Sequence, residues 1–572
     1  MAERDAFLRW IHLQPSTRKS TVGYQPSYRS YRRAEAPWTA VDTEDLLHAL
    51  QNVEKRAERV NDDEHVISTY VDSGALISAL FTTDNGIVYG RRGTGKTHAL
   101  KYLAEVERKK GNFVIYIDVE KDLGSTEGLY ADNTLAVTER ATRLLVDVIG
   151  KVHDALIEEA FNGRGSIDTL DSIFDHFGEI VVADAIEQEN MSGVESAVGG
   201  NAGLSVDVGA KGPSAGVKFS TSEHSKSNSE RRTKISGSVH NRVHFGAVAN
   251  LLGTAINEHP ARRFWLLFDE WSSLPRDLQP YLAEMLRRIF FSNSKVTARI
   301  AAIPHRTEWR ISRPNNNGYI GLEVGAEIFP MLDLDEFVVF PARSREEQAR
   351  RSTDFFSKLL TRHLNRQLAE AGKSSLRSND EVVTLLFTQK TALLELIRAA
   401  EGVPRDALLI VSRAALRAGE RRISTDHIRD AARQVYQSTK EALLNGVPGA
   451  RELLDRILAE VISNKRARAF LLAQEHATNP LILKLVDDRI LHIIKRGYSS
   501  KAEPGVRFDV LEIDYGCYVQ LLRTSSAPQG LINGISDDDL MESFYADMEV
   551  PEDDYRAIRR AVLELPQLVV QA

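Results

Sequence analysis

Apolar residues Leu46, Leu47, Leu50 and Val53 recur at helical spacing in DLLHALQNVEKRAERV and predict a helix over 42–60. The pattern then changes. In NGIVYGRRGTGKTHALKYLAEVERKKGNFVIYIDV a short strand at 87–89 is followed by a glycine-rich loop, a helix at 96–109 and a buried strand at 113–119. A crossover of that length implies parallel strands. Helical periodicity returns at 135–161, 168–180, 245–258 and 277–291, with apolar strands at 263–269 and 295–303. From 345 to 437 nearly every window has helical period. Helices are predicted at 451–474 and 480–496, before a hairpin-like VRFDVLEIDYGCYVQLL. Between 193 and 246 the pattern alternates instead, as in Leu204, Val206, Val208 and Val217, Phe219 about a Lys211-Gly212-Pro213 turn, which predicts an inserted β element.

Composition narrows the classes. The 572 residues are 42% hydrophobic and 27% charged, which excludes global disorder and leaves room for several cores. The longest apolar runs fall short of the ~18 residues of a membrane span, so no membrane partner is expected. Acidic and basic residues interrupt the start of the chain, where a secretory signal would be apolar, and Cys517 has no internal partner for a disulfide, so a cytoplasmic location is expected. A net charge of −7 argues against a surface that coats nucleic acid, though the charge is unevenly spread. Residues 1–38 carry seven basic side chains against three acids, and 537–554 carry nine acids with no Lys or Arg.

The candidate chemistry lies in the first strand-loop-helix. Gly90-Arg91-Arg92-Gly93-Thr94-Gly95-Lys96-Thr97 fits G-x-x-x-x-G-K-[ST] between a predicted strand and a predicted helix. Backbone N–H groups of such a loop curl around a triphosphate, and the helix N-terminus adds partial positive charge. The cofactor-binding set expected for ATP is Gly90, Arg91, Arg92, Gly93, Thr94, Gly95, Lys96, Thr97 and His98. Lys96 is expected to bridge the phosphates, and Thr97 to present its hydroxyl to Mg²⁺. Phe264-Trp265-Leu266-Leu267-Phe268-Asp269-Glu270 is an apolar strand ending in two acids: Asp269 for the metal, Glu270 to polarise the attacking water.

With those motifs, the chain resembles AAA+ ATPases, in particular the clade of origin-recognition and replication-initiator ATPases in a bacterial stand-alone form. GRRGTGKTHAL at 90–100, FWLLFDEWSSLP at 264–275, KVTARIAAIPHRTEW at 295–309 and EGVPRDALLIVSRAALRAGERRISTDHIRDAARQVY at 401–436 carry the resemblance. It implies an α/β fold: an αβα P-loop core at 61–340 holding the β insertion, a helical lid at 341–440 and a winged-helix-like module at 451–530. A basic extension with its leading helix at 1–60 and an acidic tail or helix at 531–572 flank these. In the lid, Gly402, Arg405, Ala407 and Leu408 match the family's sensor 2 helix start, which makes Arg405 the residue reaching the γ-phosphate; a charged fork suits a phosphate across a cleft. The polar sensor 1 residue falls on His305, Arg306 or Thr307, and Arg287 or Arg288 is the candidate arginine finger toward a neighbouring subunit.

Two functions stay open. Lys465, Arg466, Arg468, Lys484, Arg489, Lys495, Arg496, Lys501 and Arg507 could contact the phosphates of duplex DNA, as an initiator or loader would. Over 451–530, however, twelve basic residues face ten acids, a weak basis for counterion release. The other reading is an ATP-driven switch that forms homo-oligomers and signals to a partner effector protein, as in anti-phage defence. No second cluster with catalytic or metal-ligand spacing stands out in the sequence.

Overall fold

The computed structural model describes residues 43–53, 63–72, 75–124, 135–164, 245–313, 318–335, 345–465, 467–499, 505–523 and 561–564. The insertion at 193–246, up to residue 244, the helix expected at 168–180 and the basic N-terminal segment lie outside them.

The N-terminal half is built on helices α1 (Thr43–Asn52), α2 (Asp63–Thr69) and α3 (Ala75–Leu80), strand β1 (Gly86–Tyr89), helix α4 (Lys96–Lys109), strand β2 (Phe113–Asp118) and helices α5 (Val137–Phe161) and α6 (Phe245–Glu258). Then follow β3 (Phe264–Asp269), α7 (Gln279–Leu286), β4 (Val296–Ala302), the short hairpin β5 (Arg310–Ser312) and β6 (Tyr319–Gly321), and β7 (Met331–Asp333). Five strands form a parallel sheet in the order β2-β3-β4-β1-β7. β4 thus separates the strand leading into the glycine-rich loop from the strand that ends in the acids.

Alternation along β3 shows why both faces are covered. Phe264, Leu266 and Phe268 join Ile115, Ile117 and Ile300 under α5, α6 and α7. Trp265 and Leu267 point the other way, with Val88, Val114 and Ala301, onto α3 and α4. All six residues of β3 are buried, as in a strand sandwiched between helical layers.

The second half comprises α8 (Arg345–Glu370), α9 (Asn379–Leu386), α10 (Lys390–Ala399), α11 (Pro404–Ala418), α12 (Thr425–Val435), α13 (Ala450–Ile457), β8 (Ala469–Ala473), α14 (Pro480–Asp487), β9 (Leu491–Ser499), β10 (Arg507–Ile513) and β11 (Val562–Leu563). One continuous core holds the α8–α12 bundle, α13, α14 and one face of the C-terminal sheet. Leu46 and Leu50 of α1, with Val53 just after it, belong to that core and not to the parallel sheet, so the leading helix packs on the α8–α12 bundle.

Two expectations are corrected here. Residues 469–473 and 491–496, expected within helices, lie in the strands β8 and β9 of a sheet ordered β11-β8-β10-β9. Ala469-Phe470-Leu471-Leu472-Ala473 is a short apolar run that periodicity alone cannot assign, and antiparallel pairing with Val510 and Leu511 decides it. In the acidic C-terminal segment, Val562 and Leu563 extend this sheet by pairing parallel to Leu471 and Leu472. Among the described residues, no helix is long and apolar enough to cross a membrane.

Candidate nucleotide site

The glycine-rich loop joins the end of β1 to the start of α4, at the C-terminal edge of the parallel sheet, where open α/β sheets take ligands. Gly93 and Gly95 have φ of 88° and 100°, conformations a side chain would strain. Gly93 has a second reason to be glycine. A Cβ there would stand 2.9 Å from Val403 Cγ1 and 3.1 Å from Arg405 Cβ, because the first turn of α11 rests on the loop. The Arg405 N–H donates to the Gly93 carbonyl at 3.3 Å, so the sensor 2 candidate is already at the loop's edge. At Gly95 nothing lies within 4 Å of a Cβ, and that side of the loop is open.

Lys96 is only 8% exposed, and its Nζ donates to the Gly90 carbonyl at 2.9 Å and the Arg91 carbonyl at 3.0 Å. Burial pulls the ammonium below its ordinary pKa, while Glu270, Asp269 and Asp335 act to raise it. Neutral carbonyls are weaker partners for an ammonium than phosphate oxygens. The cation is therefore held in reserve at the place where an anion would outbid its present partners. Thr97 is buried in the first turn of α4.

Opposite stand the acids. Asp269, 1% exposed, accepts from the Tyr116 hydroxyl at 2.6 Å on one oxygen and from the Glu270 N–H at 3.0 Å on the other. Burial and then the Asp269 charge push the Tyr116 phenol up, so it stays a donor. Glu270 has φ 53° and ψ 34°, a left-handed conformation that is sparsely populated away from glycine. Its carboxyl is raised above the ordinary range by burial and then by Asp269, against the lowering influence of Lys96 and Arg92. A glycine cradle, a reserved ammonium, a hydroxyl at a helix start and a buried carboxylate fit a nucleotide triphosphate with Mg²⁺.

The other expected residues divide. Arg92 is exposed beside the loop. Arg91 turns away from the loop's open side: its N–H and Nε both reach Asp335 at 2.8 Å, and its guanidinium donates to His492 Nδ1 at 2.7 Å and to the Glu401 carbonyl at 3.2 Å. The His98 ring bonds the Val66 carbonyl at 2.9 Å and packs edge-on to Tyr70, which leaves only its backbone N–H for the loop. His305 and Arg306 both pair with Asp487 at 2.6 Å. Thr307 instead bonds the Ile303 carbonyl at 2.8 Å and lies 3.2 Å from the Ser272 hydroxyl, between the ends of β3 and β4.

The arginine-finger candidates are engaged within their own chain. Arg287 is held by Glu284 at 2.8 Å and Glu327 at 2.6 Å, and Arg288 by Glu284 at 2.5 Å. Among the proposed DNA contacts, Lys465 pairs with Glu460, Arg468 with Glu512, Lys484 with Asp488, Arg489 with Asp406 and Arg496 with Asp509. Lys495 lies 6.0 Å from the Tyr498 ring, and Arg507 is exposed. Arg466 and Lys501 lie outside the described residues.

Sequence reasoning missed Tyr116, Asp335, Asp487 and His492. Asp335 had a signal, since Leu332-Asp333-Leu334-Asp335 places acids after an apolar strand as Asp269 does. The other three have no local pattern.

The ORC-CDC6-like family profile matches residues 53–112, which run from the end of α1 through the glycine-rich loop and α4 to the start of β2. No curated protein matches the chain. Among solved structures, the chain is similar to Aeropyrum pernix Orc1 in complex with DNA at 13% identity and TM-score 0.29, over 82% of this chain and 88% of that one. It is similar to Pyrobaculum aerophilum Cdc6p at 12% identity and TM-score 0.27, over 81% and 87%. The ORC-CDC6-like match thus covers the segment that holds the glycine-rich loop, and that loop sits on an α/β fold whose parallel sheet is ordered β2-β3-β4-β1-β7.

Proposed function

We propose that the protein is a Mg²⁺-dependent ATP-binding and ATP-hydrolysing switch. The observation that carries the reading is the Lys96 ammonium stored on the loop's own carbonyls, near the buried Asp269 and the half-buried Glu270, with the first turn of α11 against the loop. ATP binding transfers Lys96 from those carbonyls to phosphate oxygens, with the loop N–H groups around them. Thr97 and Asp269 are the residues that would hold Mg²⁺, whose chemistry here is to neutralise charge developing on the phosphates. Glu270, raised by its surroundings, takes the proton of the attacking water, and Arg405 reads the γ-phosphate from the lid. Replacing Lys96 by Ala removes charge-assisted bonds each worth about 1.5–3 kcal/mol, so ATP affinity should fall by roughly 10- to 100-fold or more. Calorimetry showing unchanged ATP binding in that variant would reject the site.

As output, the paired side chains favour signalling to a partner protein or a second copy of the chain over reading duplex DNA. The order α13-β8-α14-β9-β10, with β10 between β8 and β9, supports a winged-helix-like reading of the module. From 481 to 490, however, no residue is exposed, and the basic groups of α14 and its exit are paired with acids. A duplex could use that helix only after it undocked. Tight duplex binding without nucleotide, with a salt dependence of several phosphates, would reinstate the DNA reading.

A further inference from the structure

Four contacts converge on one short segment. Asp487, at the end of α14, holds both His305 and Arg306 just beyond β4. Arg489, two residues on, is paired with Asp406, the neighbour of Arg405 in the first turn of the lid helix. His492, at the start of β9, accepts from Arg91 of the glycine-rich loop. The segment therefore touches the loop, the lid arginine's helix turn and the polar end of β4, the three elements expected to face phosphate.

The segment is rigidly backed. His492 Nδ1 accepts from Arg91, so its proton lies on Nε2, which faces Asp514 at 3.3 Å. Asp514 pairs with Lys440, and Lys440 with Asp406 at 3.0 Å, closing a buried circuit back to the lid. Arg489 has φ 60°, so the turn is held in a conformation usually reserved for glycine, and its ion pair to Asp406 offsets that strain. Breaking one buried pair leaves its partner charge uncompensated, so such a circuit favours two discrete arrangements, docked or released.

We propose that the segment 487–492 is the element through which the C-terminal module reads bound nucleotide, with Asp487, Arg489 and His492 as positioning residues for the site. Docked, it withholds Arg91, His305 and Arg306 from phosphate and ties down the turn that carries Arg405. ATP draws on the same elements, so binding favours release, and by reciprocity release favours binding. The proposal rests on the ATP reading above.

Hydrogen exchange of the full chain, with and without ATP and Mg²⁺ at concentrations shown by calorimetry to saturate, provides the test. Amides of 488–494 should exchange at least about tenfold faster with nucleotide, and Lys96→Ala should abolish that change. Asp487→Asn should bind ATP severalfold more tightly than wild type, with Asp487→Glu returning toward the wild-type value; a merely structural Asp487 predicts weaker binding instead. Saturating ATP without faster exchange, or weaker or unchanged ATP binding by Asp487→Asn, overturns the proposal and leaves the ATP reading standing. Failure of the wild type to bind ATP overturns both.

Discussion

Tyr116→Phe isolates one hydrogen bond at the acid pair. The phenol donates to Asp269 at 2.6 Å, and Phe keeps the ring that packs in β2 while deleting the donor. Asp269 is 1% exposed, so water cannot easily replace the lost bond. A hydrogen bond to a charged group is worth about 1.5–3 kcal/mol. Hydrogen-bond partners of metal-binding carboxylates change metal affinity by about 10–100-fold, which converts to a similar energy. The half-saturating Mg²⁺ concentration for hydrolysis should therefore rise by about 10–100-fold, with turnover at saturating Mg²⁺ close to wild type. A Mg²⁺ titration of steady-state hydrolysis at fixed ATP reads this directly. If half-saturation moves less than about twofold, Tyr116 does not orient the metal-binding carboxylate and the role given to Asp269 loses its geometric support.

Glu270→Gln keeps the size of the side chain and removes its basicity, so hydrolysis should slow by about 10²–10⁴-fold while ATP affinity holds; turnover at the wild-type rate in a single-turnover assay would remove Glu270 from the chemistry. The buried histidines predict a pH dependence of stability. Burial lowers His98 to about 4, His363 to about 3 and His492 to about 4, all from 6.5. The unfolded chain takes up these protons near pH 6.5 and the folded chain does not, so their contribution is complete above that pH and is lost as pH falls toward 4. Urea midpoints should decline between pH 6.5 and 4, and a flat profile over that range would contradict the neutral, buried state assigned to these rings.

What the sequence revealed and what it hid follow one physical division. The strand-loop-helix at 87–109 and FWLLFDE were legible because each is local: periodicity, glycines and charge all lie within a few residues. The arrangement of β8 and β9 was not, since short apolar runs become strands only when a partner such as β10 pairs with them. The pairing of Arg287 and Arg288 was legible too, because Glu284 stands three and four residues before them on the same helix face. The circuit from Arg91 to His492 joins residues 401 apart in the chain, and no window of sequence could reveal it.

Backbone strain connects these parts. Among the described residues, the non-glycine positions with positive φ are Glu270, Glu401 and Arg489. Glu270 ends the strand that presents the acids; Glu401 precedes the lid helix and gives its carbonyl to Arg91; Arg489 forms the turn after α14. Each such residue costs about 1–3 kcal/mol and persists only where its surroundings over-determine it. In Arg489 the surroundings are an ion pair to the lid, and in Glu401 a hydrogen bond from the loop, so both strained turns are held by contacts that cross between elements. In the proposed nucleotide-bound state, where Lys96, Arg91 or Arg405 would turn toward phosphate, those cross-element contacts are the ones disturbed. The strain they restrain then favours movement at the lid entry and at the C-terminal segment, two places where rotation of a single residue repositions a whole module.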